Sequence, residues 1–254
     1  MVILLRDDIS KKLASITSDT AKIFSSYSAN INWYQDEYHN GDDEISLNIR
    51  RFINDRIGYA FKHEGSVFNQ DDPWVSLVED PFKNSEEANK TSFKYILDHT
   101  FFRPRDILLF FKPLSQHEYN YPLSKSDVNH LIGRYVEEVI NELKNELSCF
   151  YSSSQITTIF NAFGEISTYL KSPGVRCISY DKAIRVIEKN CSNVSASDLL
   201  EDMFYRSLIG GMGANGFVYF KHREPVTDTY EFKRDHGVII HSALKVYCAN
   251  KGYK

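Results

Sequence analysis

Several features that assign a function directly are missing from this chain of 254 residues. No apolar run approaches the roughly 20 residues that a membrane-spanning helix needs, and the early acidic residues do not suit a signal peptide. The four cysteines lie far apart and form no CxxC or Cys/His pair. Neither a zinc site nor a disulfide framework is therefore indicated. We expect a cytoplasmic protein without a metal site and without membrane contact.

Nucleotide-binding motifs are also missing. There is no G-x-x-x-x-G-K-[ST] segment to hold phosphates, and no apolar strand that ends in paired acids for Mg²⁺. The glycine-rich residues 210–216 follow a helix pattern and precede a strand pattern, the reverse of the order in a dinucleotide site. We interpret them as a helix end and a flexible turn, with a phosphate loop as the alternative. No catalytic residue is predicted, and no cofactor for the isolated chain.

Charge is unevenly distributed along the chain. Residues 171–254 contain 13 Lys and Arg against 9 Asp and Glu, whereas residues 1–170 contain 17 against 25. The C-terminal third is thus the more basic part and the better place for a polyanion.

Apolar periodicity predicts a mainly α fold with small β elements (α+β) in three parts. Residues 1–62 begin with an apolar strand at Val2–Leu5, which starts a β-α-β pattern and suits a remnant of an α/β core. A helix over about 43–60 ends this part, with Arg50 among the residues outside its apolar side. Residues 63–172 suggest a helical lid bundle, and residues 173–254 a winged helix.

The helices predicted for the lid bundle cover about 91–98, Pro104 to Pro113, a long helix capped by Ser126-Asp127 that ends near Leu147, and 154–170. The C-terminal part is predicted as helices 180–190 and 195–209, strands 217–222, 229–233 and 238–241, and a closing helix 242–249. Two helices followed by a β-hairpin are typical of a winged helix.

Arg103-Pro104-Arg105 is the most informative motif. Pro104 suits the first turn of a helix, where a missing N–H has no effect on the hydrogen bonding. Arg103 and Arg105 then lie at the positive end of the helix dipole, where a polyphosphate or carboxylate would bind. The alternative is that an arginine pairs with Asp106 or another surface acid and only caps the helix.

A second group of basic residues lies on the predicted wing. Lys221 and Arg223 on one strand, with Lys233 and Arg234 across the hairpin, alternate with aromatic residues and are candidates for contact with a nucleic-acid backbone. Acidic neighbours dilute this group. A regulatory role of the winged helix is the alternative.

Six segments together resemble the C-terminal half of bacterial P-loop ATPases of the STAND and KAP groups, which are AAA-like. They are ILLRDDI (3–9), ANINWY (29–34), TFFRPRDILLFF (100–111), MFYRSLIGG (203–211), VYFKHREP (218–225) and VIIHSALKVY (238–247). The resemblance makes Arg6, Arg103 and Arg105 candidate nucleotide sensors. For Arg6 the alternative is an ion pair beside a helix cap at Asp7 or Asp8.

The resemblance implies a non-catalytic regulatory or sensor portion of such an ATPase, in antiphage defence or signalling. ATP and Mg²⁺ would bind only in an ATPase that a P-loop-bearing N-terminal segment or partner chain completes. The expected partners are that segment or chain and, through oligomerisation, further copies of this one. A stand-alone winged-helix module that binds DNA or protein is the second hypothesis, and an enzyme of unknown type the third.

Overall fold

Amphipathic helices form most of the chain that the computed structural model describes, which is residues 33–35, 44–82, 91–224 and 230–252. These residues belong to one unit, Trp33–Lys254. The helices are α1 (Asn48–His63), α2 (Trp74–Leu77), α3 (Ser92–Leu97), α4 (Pro104–Phe111), α5 (Lys125–Leu147), α6 (Ser153–Leu170), α7 (Tyr180–Asn190), α8 (Ala196–Tyr205) and α9 (Ser242–Asn250). The strand and helix predicted within residues 1–32, and with them Arg6, lie outside the described residues.

Short sheet elements complete the fold. The strands β1 (Ile209–Met212), β2 (Val218–Tyr219) and β3 (Gly237–Ile240) form an antiparallel sheet in the order β2-β1-β3. In this sheet Gly211 pairs with Tyr219 on one side and with Val238 on the other. The prediction of a mainly α fold with small β elements is confirmed.

The start of α5 differs from the predicted cap. Ser124, not Ser126, is the N-cap, because its hydroxyl accepts a hydrogen bond from the backbone N–H of Asp127 at 3.3 Å. Asp127 returns the interaction through Oδ2, which accepts from the backbone N–H of Ser124 at 2.9 Å. This reciprocal capping box starts the helix two residues earlier than predicted.

The glycines after α8 were wrongly predicted as a helix end and turn. Helix α8 ends at Tyr205, and Gly210 and Gly211 lie inside the central strand β1. A Cβ on Gly211 would lie 2.3 Å from the ring of Tyr219, so the missing side chain lets the neighbouring strand pack closely. Only the later part of the segment turns, where Gly216 has a φ of +78°.

The strand pattern after Phe217 is also shorter than predicted. Residues Lys221–Arg223 form a 3₁₀ turn instead of continuing β2, and residues 230–233 are irregular. Residues 225–229 lie outside the described part of the chain. The backbone groups of Ile178 and Val238 exchange two hydrogen bonds, of 3.0 and 2.7 Å, so that an extended residue ahead of α7 pairs with β3.

One apolar core runs through the described helices and the sheet. Helix α9 packs against both α5 and α6. Its Tyr247 contacts the ring of Phe160 at 5.7 Å and accepts a hydrogen bond of 2.6 Å from Nζ of Lys144. Residues on both sides of position 172 therefore share this core, and the division of the chain into three domains stays a prediction.

Within the described chain, no helix has both the length and the apolar character that a bilayer crossing requires.

Candidate functional site

The segment ahead of α4 holds a strained aromatic residue. Phe102 is buried with a φ of 56°, a left-handed conformation that bulky residues rarely adopt and that costs on the order of 1–3 kcal/mol. Its ring lies 5.7 Å from the ring of His222 and 5.1 Å from the guanidinium of Arg223. The surrounding packing therefore holds Phe102 in place against this backbone strain.

A second strained residue supports the 3₁₀ turn. Ser207, between α8 and β1, is buried with a φ of 62°, and its hydroxyl accepts a hydrogen bond of 2.8 Å from the backbone N–H of His222. Two left-handed residues from distant parts of the chain thus meet at His222. Backbone strain of this kind clusters at functional sites, although it is also found in tightly packed turns.

His241 completes the cluster from the start of α9. Its Nδ1 accepts a hydrogen bond of 3.2 Å from the backbone N–H of Ala243, and its ring stacks on Phe101 at 4.5 Å. The imidazoles of His241 and His222 are 5.1 Å apart. We call this cluster of Phe101, Phe102, Phe220, His222 and His241 the histidine junction.

Both histidines of the junction are neutral. Burial, reinforced by the neighbouring positive charge of Arg223, holds the pKa of His222 and of His241 well below 6.5. Asp98 acts in the opposite direction on His241, but burial prevails. Because Nε2 of His222 accepts from Nε of Arg223 at 3.2 Å, its proton lies on Nδ1, which is buried and has no hydrogen-bond partner among the described residues.

Two of the four candidate nucleic-acid-binding residues form ion pairs inside the protein. Arg223, with 15% of its side chain exposed, pairs with Asp98 at 3.1 Å. Lys221, with 10% exposed, pairs with Glu224 and donates to the carbonyl of Tyr230 at 3.0 Å. These contacts place Lys221 and Arg223 in ion pairs beside the junction, and a nucleic-acid contact through them stays a prediction.

The other two, Lys233 and Arg234, are exposed. Arg234 donates a hydrogen bond of 3.2 Å to the hydroxyl of Ser197 on α8. The structure therefore divides the predicted basic group into a half-buried, ion-paired pair and an exposed pair.

The two arginines of the RPRD motif have carboxylate partners. Arg103 donates to Asp106 through Nε at 2.9 Å and Nη2 at 2.8 Å, and Asp106 is buried and also accepts from the backbone of Phe101. Arg105, with 68% of its side chain exposed, pairs with Glu142 on α5. This geometry agrees with the helix-capping alternative, and Pro104 occupies the first turn as predicted.

Arg50 was wrongly placed on the polar side of its helix. It is fully buried, with its guanidinium 4.8 Å from the ring of Trp74 and 4.7 Å from that of Phe93. Nη2 donates to both oxygens of Asp72, at 3.0 and 2.8 Å, and Asn54 donates to the same carboxylate. The spacing of Arg50 and Asn54 by four residues was the available signal, since it puts two polar groups on one helix face.

Three further features of the described residues, possible metal ligands, a surface groove and the buried cysteines, give weaker support for a functional site. Among the described residues no group of three or more His, Cys, Asp or Glu is arranged to hold a metal. A shallow groove of about 610 Å³ runs beside α1 and is lined by residues of mixed charge, including Arg51, Asp55, Lys62 and Asp71. Cys191 and Cys248 are buried free thiols, and burial raises the pKa of Cys248 to about 12.

The described chain is thus mainly helical with a small antiparallel sheet, and the segment ahead of α4 contacts the C-terminal elements at the histidine junction. Residues 47–144 match the family model of the FunZ-associated C-terminal helical domain, which covers less than half of the chain. The description is that of an accessory helical domain and names no activity. No curated protein and no solved structure matches the chain.

Proposed function

We propose that the chain is a non-catalytic regulatory module, in which the helical segment 47–144 is coupled to the C-terminal part through the histidine junction. Phe101 and Phe102 come from the segment that matches the accessory domain, whereas His222 and His241 come from outside it. Two strained residues and closely packed rings hold this contact. A displacement of the helical segment would therefore move the C-terminal part as well.

The STAND/KAP-like setting remains part of this proposal. The helix dipole at the start of α4 supports an anion-sensing role for the RPRD arginines. Arg105 is the better sensor of the two, because its exposed ion pair with Glu142 contributes little energy and exchanges easily. Arg103 would first have to leave the buried carboxylate of Asp106. ATP and Mg²⁺ would be supplied by a P-loop-bearing partner.

Hydrogen exchange tests the coupling directly. His222→Gln keeps an acceptor for Arg223 but alters the junction, and we expect the amides of residues 99–106 to lose protection together with those of 220–223 and 237–241. Glu188→Gln, at an exposed position of α7, is the matched control and should leave all three segments unchanged. Loss of protection confined to the C-terminal segments would show that the two parts are not coupled.

Catalysis by the isolated chain is a separate test. We expect purified protein to fold without ATP and to show no Mg²⁺-dependent ATP hydrolysis. Turnover that persists through successive purification steps and is abolished by Arg105→Ala would contradict a non-catalytic role.

A winged-helix interaction module is the second candidate, and the order of the C-terminal elements supports it. The order along the chain is helix α6, extended Ile178, helices α7 and α8, and then strands β1 and β3. Ile178 and β1 both pair with β3, on its opposite sides. A winged helix has the same sequence of elements, with α8 as the recognition helix. For nucleic acid, the exposed Lys233 and Arg234 would be the contacts to test.

Salt-dependent binding to a DNA duplex distinguishes nucleic acid from other partners. If DNA is the ligand, Lys233→Glu with Arg234→Glu should abolish binding, and Arg51→Glu with Lys62→Glu, the same charge change at two exposed positions of α1, should not. Lys221 and Arg223 are unsuitable for this test because their reversal would break internal ion pairs.

A further inference from the structure

Helix α8 has one apolar face and one acidic face. Leu199, Leu200, Met203 and Phe204 are buried in the core. Asp198, Glu201 and Tyr205 follow each other at spacings of three and four residues, which places them on one side of the helix, and all three are exposed. The recognition-helix position therefore presents two carboxylates and an aromatic ring.

Phe150, after the end of α5, extends this face. Its ring is 59% exposed and lies 5.4 Å from the guanidinium of Arg206, the residue that follows α8. Tyr205 is 44% exposed. Large exposed aromatic residues grouped on one surface are typical of protein interaction sites. We call Asp198, Glu201, Tyr205 and Phe150 the α8 surface.

Three basic residues lie beside this surface, and the contacts they make are with other groups. Lys221 lies 5.7 Å from the ring of Tyr205 but pairs with Glu224, and Arg234 donates to the hydroxyl of Ser197. Arg206 donates to Asp202 at 3.1 Å and lies 3.5 Å from Glu146, so its charge is shared between two other carboxylates. Asp198 and Glu201 remain as negative charges on the exposed side of α8. A phosphate backbone would be repelled at the position where a DNA-binding winged helix attracts one.

From this charge complementarity we propose that the α8 surface docks a segment of a partner protein that is rich in arginine and lysine and carries apolar side chains. Carboxylates would bind the basic groups, and the exposed parts of the Tyr205 and Phe150 rings would contact the apolar side chains. The proposal deepens the interaction-module function, on which it rests, by naming the chemistry of the partner.

Binding of a fluorescein-labelled peptide of alternating arginine and leucine to the full chain tests this surface. We expect saturable binding that weakens with salt and falls about tenfold or more in Asp198→Lys/Glu201→Lys. The control Asp181→Lys/Glu188→Lys makes the same charge change at exposed positions of α7 and should lower the affinity much less. The neutral pair Asp198→Asn/Glu201→Gln should give an intermediate loss, and circular dichroism of each variant confirms folding.

Tyr205→Ser and Phe150→Ser separate the aromatic contribution from the charges. Each should weaken peptide binding while leaving its salt dependence unchanged. Equal loss in the α7 control, or peptide binding that the α8 charge reversal leaves unchanged, would overturn the proposal. Binding of a DNA duplex through Lys233 and Arg234 tests the interaction-module function separately, so that failure of peptide binding alone removes only this docking surface.

Discussion

At the scale of single residues, the structure should tolerate substitution least at three positions of the histidine junction and the sheet. His241 is buried and His222 half-buried between aromatic rings, both uncharged at neutral pH, and Gly211 leaves room for the ring of Tyr219. Sequence reasoning could not foresee that His222 lies beside His241, because the turn that brings them together depends on Ser207 and Phe102, both in conformations that their residue types disfavour.

The junction histidines should make stability depend on pH. Their pKa values are depressed in the folded state, so their contribution is fully present above the unfolded value near 6.5 and is lost as the pH falls toward the folded values. The free energy of unfolding should decrease by up to about 1.4 kcal/mol per pH unit for each histidine below pH ~6. Urea unfolding at several pH values from about 5 to 8, the range in which histidine titrates, gives this slope.

The control for this dependence is the pair His222→Gln and His241→Asn, which retain a hydrogen-bond acceptor but do not titrate. Each variant should show a shallower slope below pH ~6 than the wild type, even where its stability is lower at neutral pH. An unchanged slope in both variants would mean that other groups determine the acid sensitivity.

Gly211→Ala should destabilise the protein, because its Cβ would lie 2.3 Å from the Tyr219 ring in the paired strand. We expect a loss of about 1–3 kcal/mol in the free energy of unfolding, as for overpacking in a core. Gly133→Ala in α5 is the matched control: its Cβ would meet its nearest neighbour at 3.7 Å, and alanine favours the helix by about 0.5–1 kcal/mol. Thermal unfolding compares the two; equal effects would contradict the close strand approach.

At the scale of elements, the agreement between sequence and structure follows the strength of the local pattern. Helix α7 lies where it was predicted, at 180–190, because a strong apolar periodicity is a local property. Strand β1 was missed, since its four residues IGGM carry little strand signal and depend on β2 and β3, which follow later in the chain. Burial of Arg50 was missed because its partner Asp72 belongs to a loop 22 residues away.

The capping box of α5 gives a test at this scale. Ser124→Ala removes the hydroxyl that caps the backbone of Asp127 and should lower the free energy of unfolding by about 1 kcal/mol. Ser126→Ala changes the same residue type inside the first turn, where alanine is a good helix former, and should be neutral or slightly stabilising. Denaturant midpoints distinguish the two variants, and a larger loss at Ser126 would restore the cap that was predicted from the sequence.

At the scale of the whole molecule, the shared core is the dominant feature. Helix α9 covers α5 and α6, which belong to the part of the chain predicted as a separate lid bundle. The buried ion pair of Arg50 with Asp72 and the histidine junction lie in the same unit, Trp33–Lys254. Sequence alone could not reveal this sharing, because the apolar faces of α5 and α9 each have the right periodicity for packing in either one domain or two.

A fragment of residues 33–172 should therefore fail to unfold cooperatively. Without α9 the faces of α5 and α6 that contact it are exposed, and tryptophan fluorescence should show a broad, weakly cooperative urea transition in place of a sharp one. Tyr247→Phe in the full chain keeps the packing, removes only the hydrogen bond from Lys144, and should retain a sharp transition. A sharp transition of the fragment would support the three-domain division.

Lys144 and Tyr247, which are in contact, lie 103 positions apart in the chain, so α5 is synthesised well before α9. At 5–20 residues per second, a ribosome needs roughly 5–20 s to produce α9 after α5 has been made. During that interval α5 and α6 present an uncovered apolar surface to solvent or to a chaperone. A nascent chain stalled before Ser242 should consequently be captured by ribosome-associated chaperones, and release should follow once α9 has left the exit tunnel.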